Sequence, residues 1–150
     1  MRRWLSLTVA LTVAALGFAA CEDEEAEPAA PGPQAGAVGV VLDEWSITPD
    51  VSTVKAGSVT FEAKNEGAVP HELAVFSIGA DVDIAALPVE AGKAEAERAG
   101  AEKIGEIEAE DLPGGGEAEA TFDLQPGRYL LICNIAGHYE QGMHAELTAQ

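Results

Sequence analysis

An apolar run from Tyr129 to Ile132 leads directly into Cys133, and the eleven-residue segment 133–143 that starts there also holds His138 and Met143. A strand this apolar is expected inside a sheet, which fixes the cysteine sulfur at the rim of a rigid core. Four residues separate Cys133 from His138, and four more separate His138 from Met143, where the last strand-like run begins. A loop held by strands at both ends can fold its three donors around one point.

A fourth donor, His71, lies about sixty residues earlier at the start of another strand-like run. We expect the site to join the edges of two sheets. A thiolate, two imidazoles and a thioether suit a soft, redox-active metal, and Cys plus two His with a long axial Met is the ligand set of mononuclear blue copper. The sequence therefore predicts one copper ion. His144 is expected to point to the opposite face of its strand from Met143.

The rest of the chain after residue 36 predicts a β-sandwich. Short runs of strand-forming or alternating residues are separated by turn residues, a pattern typical of two packed sheets. These runs cover residues 38–47, 58–64, 72–76, 118–124, 128–133 and 144–148.

Residues 81–119 differ in composition and are interpreted as an insertion that crosses one side of the sandwich. Residues 91–103 are rich in Ala, Glu and Lys, which favours a short helix or helical turns. Residues 104–108 could form a strand. The segment holds twelve acidic and three basic residues, so it is either a solvated acidic surface or a docking face for a basic redox partner.

The first twenty residues predict an export signal, with Arg2 and Arg3 before an uncharged apolar run that ends in small residues. The segment before Cys21 resembles a bacterial lipobox, with Phe18 where Leu is usual, and implies lipidation of Cys21. Ordinary signal cleavage and a permanent membrane span are the alternatives. Residues 21–36 are acidic and rich in Pro, Ala and Gly, which predicts a disordered linker before a domain at 37–150.

The charge of the exported chain excludes nucleic acid as a partner. The sequence has eight Lys and Arg against 26 Asp and Glu; two of the basic residues and none of the acidic ones precede Cys21, so a chain beginning there carries −20. Such a charge repels phosphates and favours basic partners. Cys133 is then the only cysteine besides Cys21, and metal ligation explains an unpaired thiol outside the cytoplasm.

In two blocks, residues 65–76 around His71 and the Cys133-x4-His138-x4-Met143 loop, the chain resembles the cupredoxins. The first block is similar to plastocyanin-type proteins and the loop to auracyanin and rusticyanin. The resemblance implies a Greek-key β-sandwich, with His71, Cys133 and His138 as equatorial copper ligands and Met143 as the axial ligand. Glu72 departs from the family pattern, which has an Asn that braces the cysteine loop; Asn134 could brace it from the other side.

These features predict a non-enzymatic one-electron carrier at the outer face of the membrane. The expected partner is a basic cytochrome or a membrane oxidase or reductase. A copper carrier of extracytoplasmic copper homeostasis is the alternative, although carriers tend to use Met or His clusters that this chain lacks. Three His in all are too few for a trinuclear copper oxidase, and the loop lacks the second Cys of a two-copper centre.

Overall fold

The computed structural model describes residues 36–150. The predicted signal at residues 1–20, Cys21 and the linker up to residue 35 lie outside the described residues. Across residues 36–150 there is no helix with the length and apolarity that a membrane crossing requires. The elements of this part are eleven strands and two short 3-10 helices: β1 Ala37–Asp43, β2 Ser46–Pro49, β3 Thr53–Val54, β4 Gly57–Asn65, β5 Leu73–Ile78, β6 Val89–Glu90, β7 Lys93–Ala94, β8 Glu102–Ile107, β9 Glu117–Leu124, β10 Gly127–Ile132, β11 His144–Ala149, and 3-10 turns at Glu97–Ala99 and Tyr139–Gln141.

The strands form two main sheets. The four-stranded sheet has the order β2-β1-β4-β9, and the five-stranded sheet has the order β3-β11-β10-β5-β8. Pairing is antiparallel except between β1 and β4 and between β3 and β11. Strands β6 and β7 make a separate small hairpin. The predicted all-β sandwich is confirmed.

The main core lies between the two sheets and follows from the alternation of side chains along the strands. In β4, Val59, Phe61 and Ala63 are buried while the residues between them face outward. They pack with Leu131 and Leu147 from the other sheet in one apolar cluster. This period-2 pattern is the one that the sequence predicted for residues 58–64.

Strand β10 is apolar on both faces because both faces of the five-stranded sheet are covered. Leu131 faces the core between the sheets, whereas Leu130 and Ile132 face a second apolar cluster on the outside. The insertion supplies the cover for that outer cluster through Leu87 and Ala96. As predicted, part of residues 81–119 covers one side of the sandwich, but Glu102–Ile107 (β8) and the start of β9 are strands of the main sheets. The helical content of the segment is the single 3-10 turn at Glu97–Ala99.

The run 38–47 is two strands rather than one, which corrects the sequence interpretation. Strands β1 and β2 pair as an antiparallel hairpin whose turn is Glu44 and Trp45. The Asp43 carboxylate accepts the Glu44 N–H at 2.8 Å, a local bond that satisfies the backbone at the turn. The turn brings Glu44 and Trp45 to the end of the sandwich where the donor residues lie.

Candidate metal centre

The donor residues lie at one end of the five-stranded sheet. His71 precedes β5, Cys133 follows β10, and Met143 precedes β11. Because β10 runs antiparallel to both neighbours, its end lies beside their starts: Ile132 pairs with Ala74 on one side and with His144 on the other. The expectation that the site joins the edges of two sheets was wrong, since three adjacent strands of one sheet carry the donors.

Three of the predicted ligands form a compact group. The Cys133 Sγ lies 3.3 Å from His138 Nδ1 and 3.8 Å from His71 Nδ1, and the two Nδ1 atoms are 3.2 Å apart. Among the described residues, these are the His, Cys, Asp or Glu side chains brought together with the spacing of metal ligands. The two ring nitrogens and the sulfur thus form a triangle.

The triangle has the size that a bound metal ion requires. A point equidistant from three atoms with these separations lies about 2.0 Å from each, while zinc–imidazole bonds measure about 2.0–2.1 Å and zinc–thiolate bonds about 2.3 Å. A trigonal site of one sulfur and two nitrogens is the arrangement that copper takes in blue copper proteins. The residues present therefore fit a copper ion, with only a small outward shift of the sulfur.

Burial sets the protonation states of the metal-free group. Cys133 and His71 are fully buried. Burial raises the pKa of the Cys133 thiol, although the Glu72 N–H directed at its sulfur opposes this. Burial also lowers the pKa of His71 and that of His138. The metal-free site thus favours a neutral thiol and neutral imidazoles, so a metal must displace one proton, that of Cys133.

Met143 is also fully buried and closes the ligand loop. Its N–H donates to the His138 carbonyl at 3.2 Å, and its carbonyl accepts the Cys133 N–H at 3.1 Å. Gly142 has φ 113°, a left-handed conformation that lets the chain turn from the 3-10 helix into β11. Met143 shares the apolar cluster of Cys133, a position suited to the predicted axial ligand.

Glu72 connects the two ligand-bearing segments. Its N–H points at the Cys133 sulfur at 3.5 Å, and its carboxylate accepts the Asn134 N–H at 3.0 Å. This carboxylate bond ties the residue after His71 to the residue after Cys133. Glu72 therefore braces the cysteine loop in place of the Asn that the resemblance led us to expect.

Asn134 braces the same loop from the insertion side. Its side chain accepts the Ala94 N–H at 2.7 Å and donates to the Ala94 carbonyl at 2.9 Å. A further bond joins the Gly137 N–H to the Gly92 carbonyl at 2.7 Å. The β6–β7 hairpin is thus fastened to the loop that carries His138, and the suggestion that Asn134 braces this loop agrees with the geometry.

Asn65, at the end of β4, shapes the segment that leads to His71. This fully buried side chain donates to the carbonyls of Val69 and Leu112 at 2.8 and 3.1 Å and accepts the Gly67 N–H at 2.9 Å. The His71 N–H also donates to the Leu112 carbonyl, at 3.2 Å. The predicted turn after residue 64 is therefore a closed hydrogen-bonded loop.

Two residues beside the histidines were missed by the sequence analysis. The Trp45 ring meets the His138 ring edge-on, with centroids 5.0 Å apart, and Glu44 Oε1 lies 3.9 Å from His71 Nε2. Both residues form the β1–β2 turn, and the signal for that turn was the Asp43–Glu44 pair that interrupts an otherwise apolar run. His144, as predicted, lies apart from the donor group; its ring packs against that of Tyr139 at 5.2 Å.

Comparisons with known proteins agree with this fold. Residues 51–150 match the family model of the sulfocyanin (SoxE) domain. No curated protein sequence matches the chain.

Two solved structures have similar folds. Reduced auracyanin from the photosynthetic bacterium Roseiflexus castenholzii is 22% identical with a TM-score of 0.52, over 77% of this chain and 95% of that one. Auracyanin B is 25% identical with a TM-score of 0.54, over 77% of this chain and 88% of that one. These likenesses confirm the predicted cupredoxin fold.

Proposed function

Because the chain belongs to the sulfocyanin (SoxE) domain family, we propose that it is a mononuclear type 1 copper protein that carries single electrons between redox partners. The observation that carries this proposal is the triangle formed by Cys133 Sγ, His71 Nδ1 and His138 Nδ1, whose centre lies at metal-bonding distance from all three atoms. Copper bound there would supply a one-electron couple between Cu(I) and Cu(II).

The protein contributes a rigid set of ligands that are buried from solvent. Cys133, His71 and Met143 have no exposed surface, and each adjoins a strand of the same sheet. Bonds from Glu72 and Asn134 fix the cysteine loop from two sides. Ligands held in this way move little when the charge of the metal changes. This favours fast electron transfer over exchange of the metal.

His138 is the proposed exit for the electron. It is half-buried, unlike His71, and it lies on a loop whose neighbour Ala136 is small and exposed. Trp45 covers one side of its ring and is 38% exposed itself. A partner that docks on this end of the domain would reach His138 or Trp45 before any other part of the site.

The alternative is a carrier that delivers copper in extracytoplasmic homeostasis. The two functions differ in how firmly the metal is held, so the copper-loaded protein is challenged with an excess of a Cu(I) chelator under native conditions. We expect the protein to keep its copper through repeated cycles of ascorbate reduction and ferricyanide oxidation. Rapid loss of copper to the chelator would favour the carrier instead. An enzymatic role is not proposed, since copper held by all four of these residues would have no ligand position left for a substrate.

The proposed partner is a basic redox protein, for which a basic cytochrome is the simplest example. The sheet face formed by β4 and β9 carries the exposed residues Glu62, Glu117 and Glu119, and the whole sequence has a net charge of −18. Opposite charges speed encounter and are screened by salt. The rate of electron exchange with a basic cytochrome c should therefore fall as ionic strength rises; a rate independent of salt would remove the acidic face from the mechanism.

The proposed location is the outer face of a bacterial membrane, with the protein anchored by lipid on Cys21. The proposal rests on the lipobox-like sequence before Cys21 and on the acidic segment that follows, and an anchor with more than one acyl chain would hold firmly. Replacing Cys21 with Ala should release the protein from membranes or leave its precursor uncleaved, without altering the visible spectrum. Membrane attachment in a correctly cleaved Cys21→Ala protein would contradict the lipid anchor.

A further inference from the structure

The outer nitrogen of His71 has an unmet requirement for a hydrogen-bond partner. The imidazole is fully buried and turns Nδ1 toward the donor triangle. When Nδ1 gives its lone pair to a metal, the ring proton must reside on Nε2, which then needs an acceptor. In the described part of the chain, Nε2 is the buried side-chain nitrogen or oxygen that lacks a hydrogen-bond partner.

The Glu44 carboxylate lies beside this nitrogen and can serve as the acceptor. Its Oε1 lies 3.9 Å from His71 Nε2. This is longer than a hydrogen bond, but a small movement of the Glu44 side chain would form one. The Glu44 side chain is 28% exposed, so it faces the buried ring with part of its surface while water solvates the remainder. It is ionised at neutral pH, since the Val69 N–H holds the pKa of this carboxyl below its ordinary value.

The chain holds Glu44 in this place. Its Oε1 accepts the N–H groups of Ala68 and Val69 at 2.8 and 3.0 Å, in the segment that leads to His71. Gly67 leaves the room for it, because a Cβ at that position would lie 2.6 Å from the same oxygen. On its other side, the turn is fixed by the contact between Trp45 and His138.

We propose that Glu44 is a positioning residue for His71, with its carboxylate accepting the Nε2–H when the metal is bound. Histidines that bind metals almost always donate their second N–H to a carboxylate, a carbonyl or water, and such partners orient the ring and strengthen it as a donor. The inference rests on the proposed copper site and adds to it the residue that sets the donor strength of one ligand. A stronger, more anionic ligand favours Cu(II), so Glu44 lowers the reduction potential.

A purely structural role is the competing explanation, because Glu44 also anchors the loop through Ala68 and Val69. Glu44→Gln separates the two roles. The amide has the same shape and an oxygen that still accepts the backbone N–H groups, but it has lost the charge. Glu66→Gln is the matched control: Glu66 is an exposed carboxylate in the same loop that pairs with Lys64 rather than with a ligand. Glu44→Ala removes both roles and is measured alongside the other two variants.

The experiment uses the full-length copper-loaded protein and measures two properties of each variant. A spectroelectrochemical titration gives the ratio of reduced to oxidised protein at a fixed ambient potential. We expect Glu44→Gln to raise this ratio several-fold and Glu66→Gln to leave it nearly unchanged. In the diamagnetic Cu(I) form, proton NMR should show a slowly exchanging His71 Nε2–H, which shifts upfield in Glu44→Gln and exchanges faster in Glu44→Ala.

Two results would overturn the inference: a reduced-to-oxidised ratio in Glu44→Gln equal to that of the Glu66→Gln control, or an Nε2–H resonance unchanged by either substitution at Glu44. In both cases the unaltered protein keeps its visible band, so the copper site stands. Absence of the band from the unaltered protein would instead contradict the proposed function, and the inference with it. Should Glu44→Ala fail to fold, Glu44→Gln and its control decide the matter.

Discussion

Replacing Asn65 with Ala tests whether the loop before His71 is built by one buried amide. The substitution removes three hydrogen bonds, to Val69, Leu112 and Gly67. The substitution affects the three backbone groups bonded to Asn65 in different ways. The Leu112 carbonyl keeps the His71 N–H, the carbonyl of the exposed Val69 can take up water, and the buried Gly67 N–H is left without a partner.

The size of the effect follows from that difference. A typical hydrogen bond contributes about 1 kcal/mol net, and a buried polar group left unpaired costs about 1–3 kcal/mol. One unpaired N–H and two weakened carbonyls therefore predict a loss of about 2–4 kcal/mol in the free energy of unfolding. That is a large part of the roughly 5–15 kcal/mol by which most domains are stable.

The assay is urea unfolding of the copper-free protein, followed by tryptophan fluorescence. Ser58→Ala is the control, because Ser58 is an exposed polar residue on the same strand, and such changes stay within about 0.5 kcal/mol. The midpoint for Asn65→Ala should fall while the slope with urea is unchanged. Since the loop leads to His71, we also expect weaker copper retention. A loss below about 1 kcal/mol, close to that of the control, would refute the argument that Asn65 builds the loop.

Substitutions at three further positions probe single contacts of the site. Met143→Gln should keep copper but lower the reduction potential, because a harder oxygen favours Cu(II); an unchanged potential in voltammetry would place Met143 in the core alone. Glu72→Ala should weaken copper affinity about 10- to 100-fold through loss of the bond to Asn134, whereas Glu72→Gln keeps an acceptor and most of the affinity. Equal affinities of the two Glu72 variants in competition titrations would contradict a role for the Glu72–Asn134 bond in holding the cysteine loop. Trp45→Ala should lower the unfolding free energy by about 0.5–1.5 kcal/mol through loss of the ring contact with His138, Trp45→Phe should recover most of it, and equal urea midpoints for the two variants would argue against that contact.

The parts of the fold that the sequence predicted are those with a strong local pattern. Alternation in β4 and β9 and the apolar run of β10 each specify a strand without reference to the rest of the chain. The donor group was predictable for a related reason. Cys133, His138 and Met143 belong to one short loop between two such strands, so their proximity needs little tertiary information.

The errors concern arrangement in space. Whether His71 lies on the same sheet as Cys133 depends on the pairing of β5 with β10, a long-range pairing that no local pattern reveals. The turn at Glu44 and Trp45 was missed because both flanking strands are rich in strand formers and read as one run. Residues 91–103, for which a short helix or helical turns was predicted, contain a 3-10 turn at Glu97–Ala99 between β7 and the start of β8, and Ala94 and Ala96 pack on the outer cluster.

The replacement of the expected Asn by Glu72 shows a similar limit. The sequence gives the residue type at this position but not the bond that it makes. Only the placement of Asn134 beside β5 reveals that the carboxylate accepts a backbone N–H there.

We propose that one copper ion binds between Cys133, His71 and His138. The most direct measurement is the visible and EPR spectrum of the purified full-length protein titrated with Cu(II). We expect an intense thiolate-to-copper charge-transfer band that saturates at one equivalent, that disappears in Cys133→Ser because a hydroxyl cannot replace the soft thiolate, and that persists in His144→Ala. A Cys133→Ser protein that keeps the band, or an unaltered protein that never develops it, would contradict the claim.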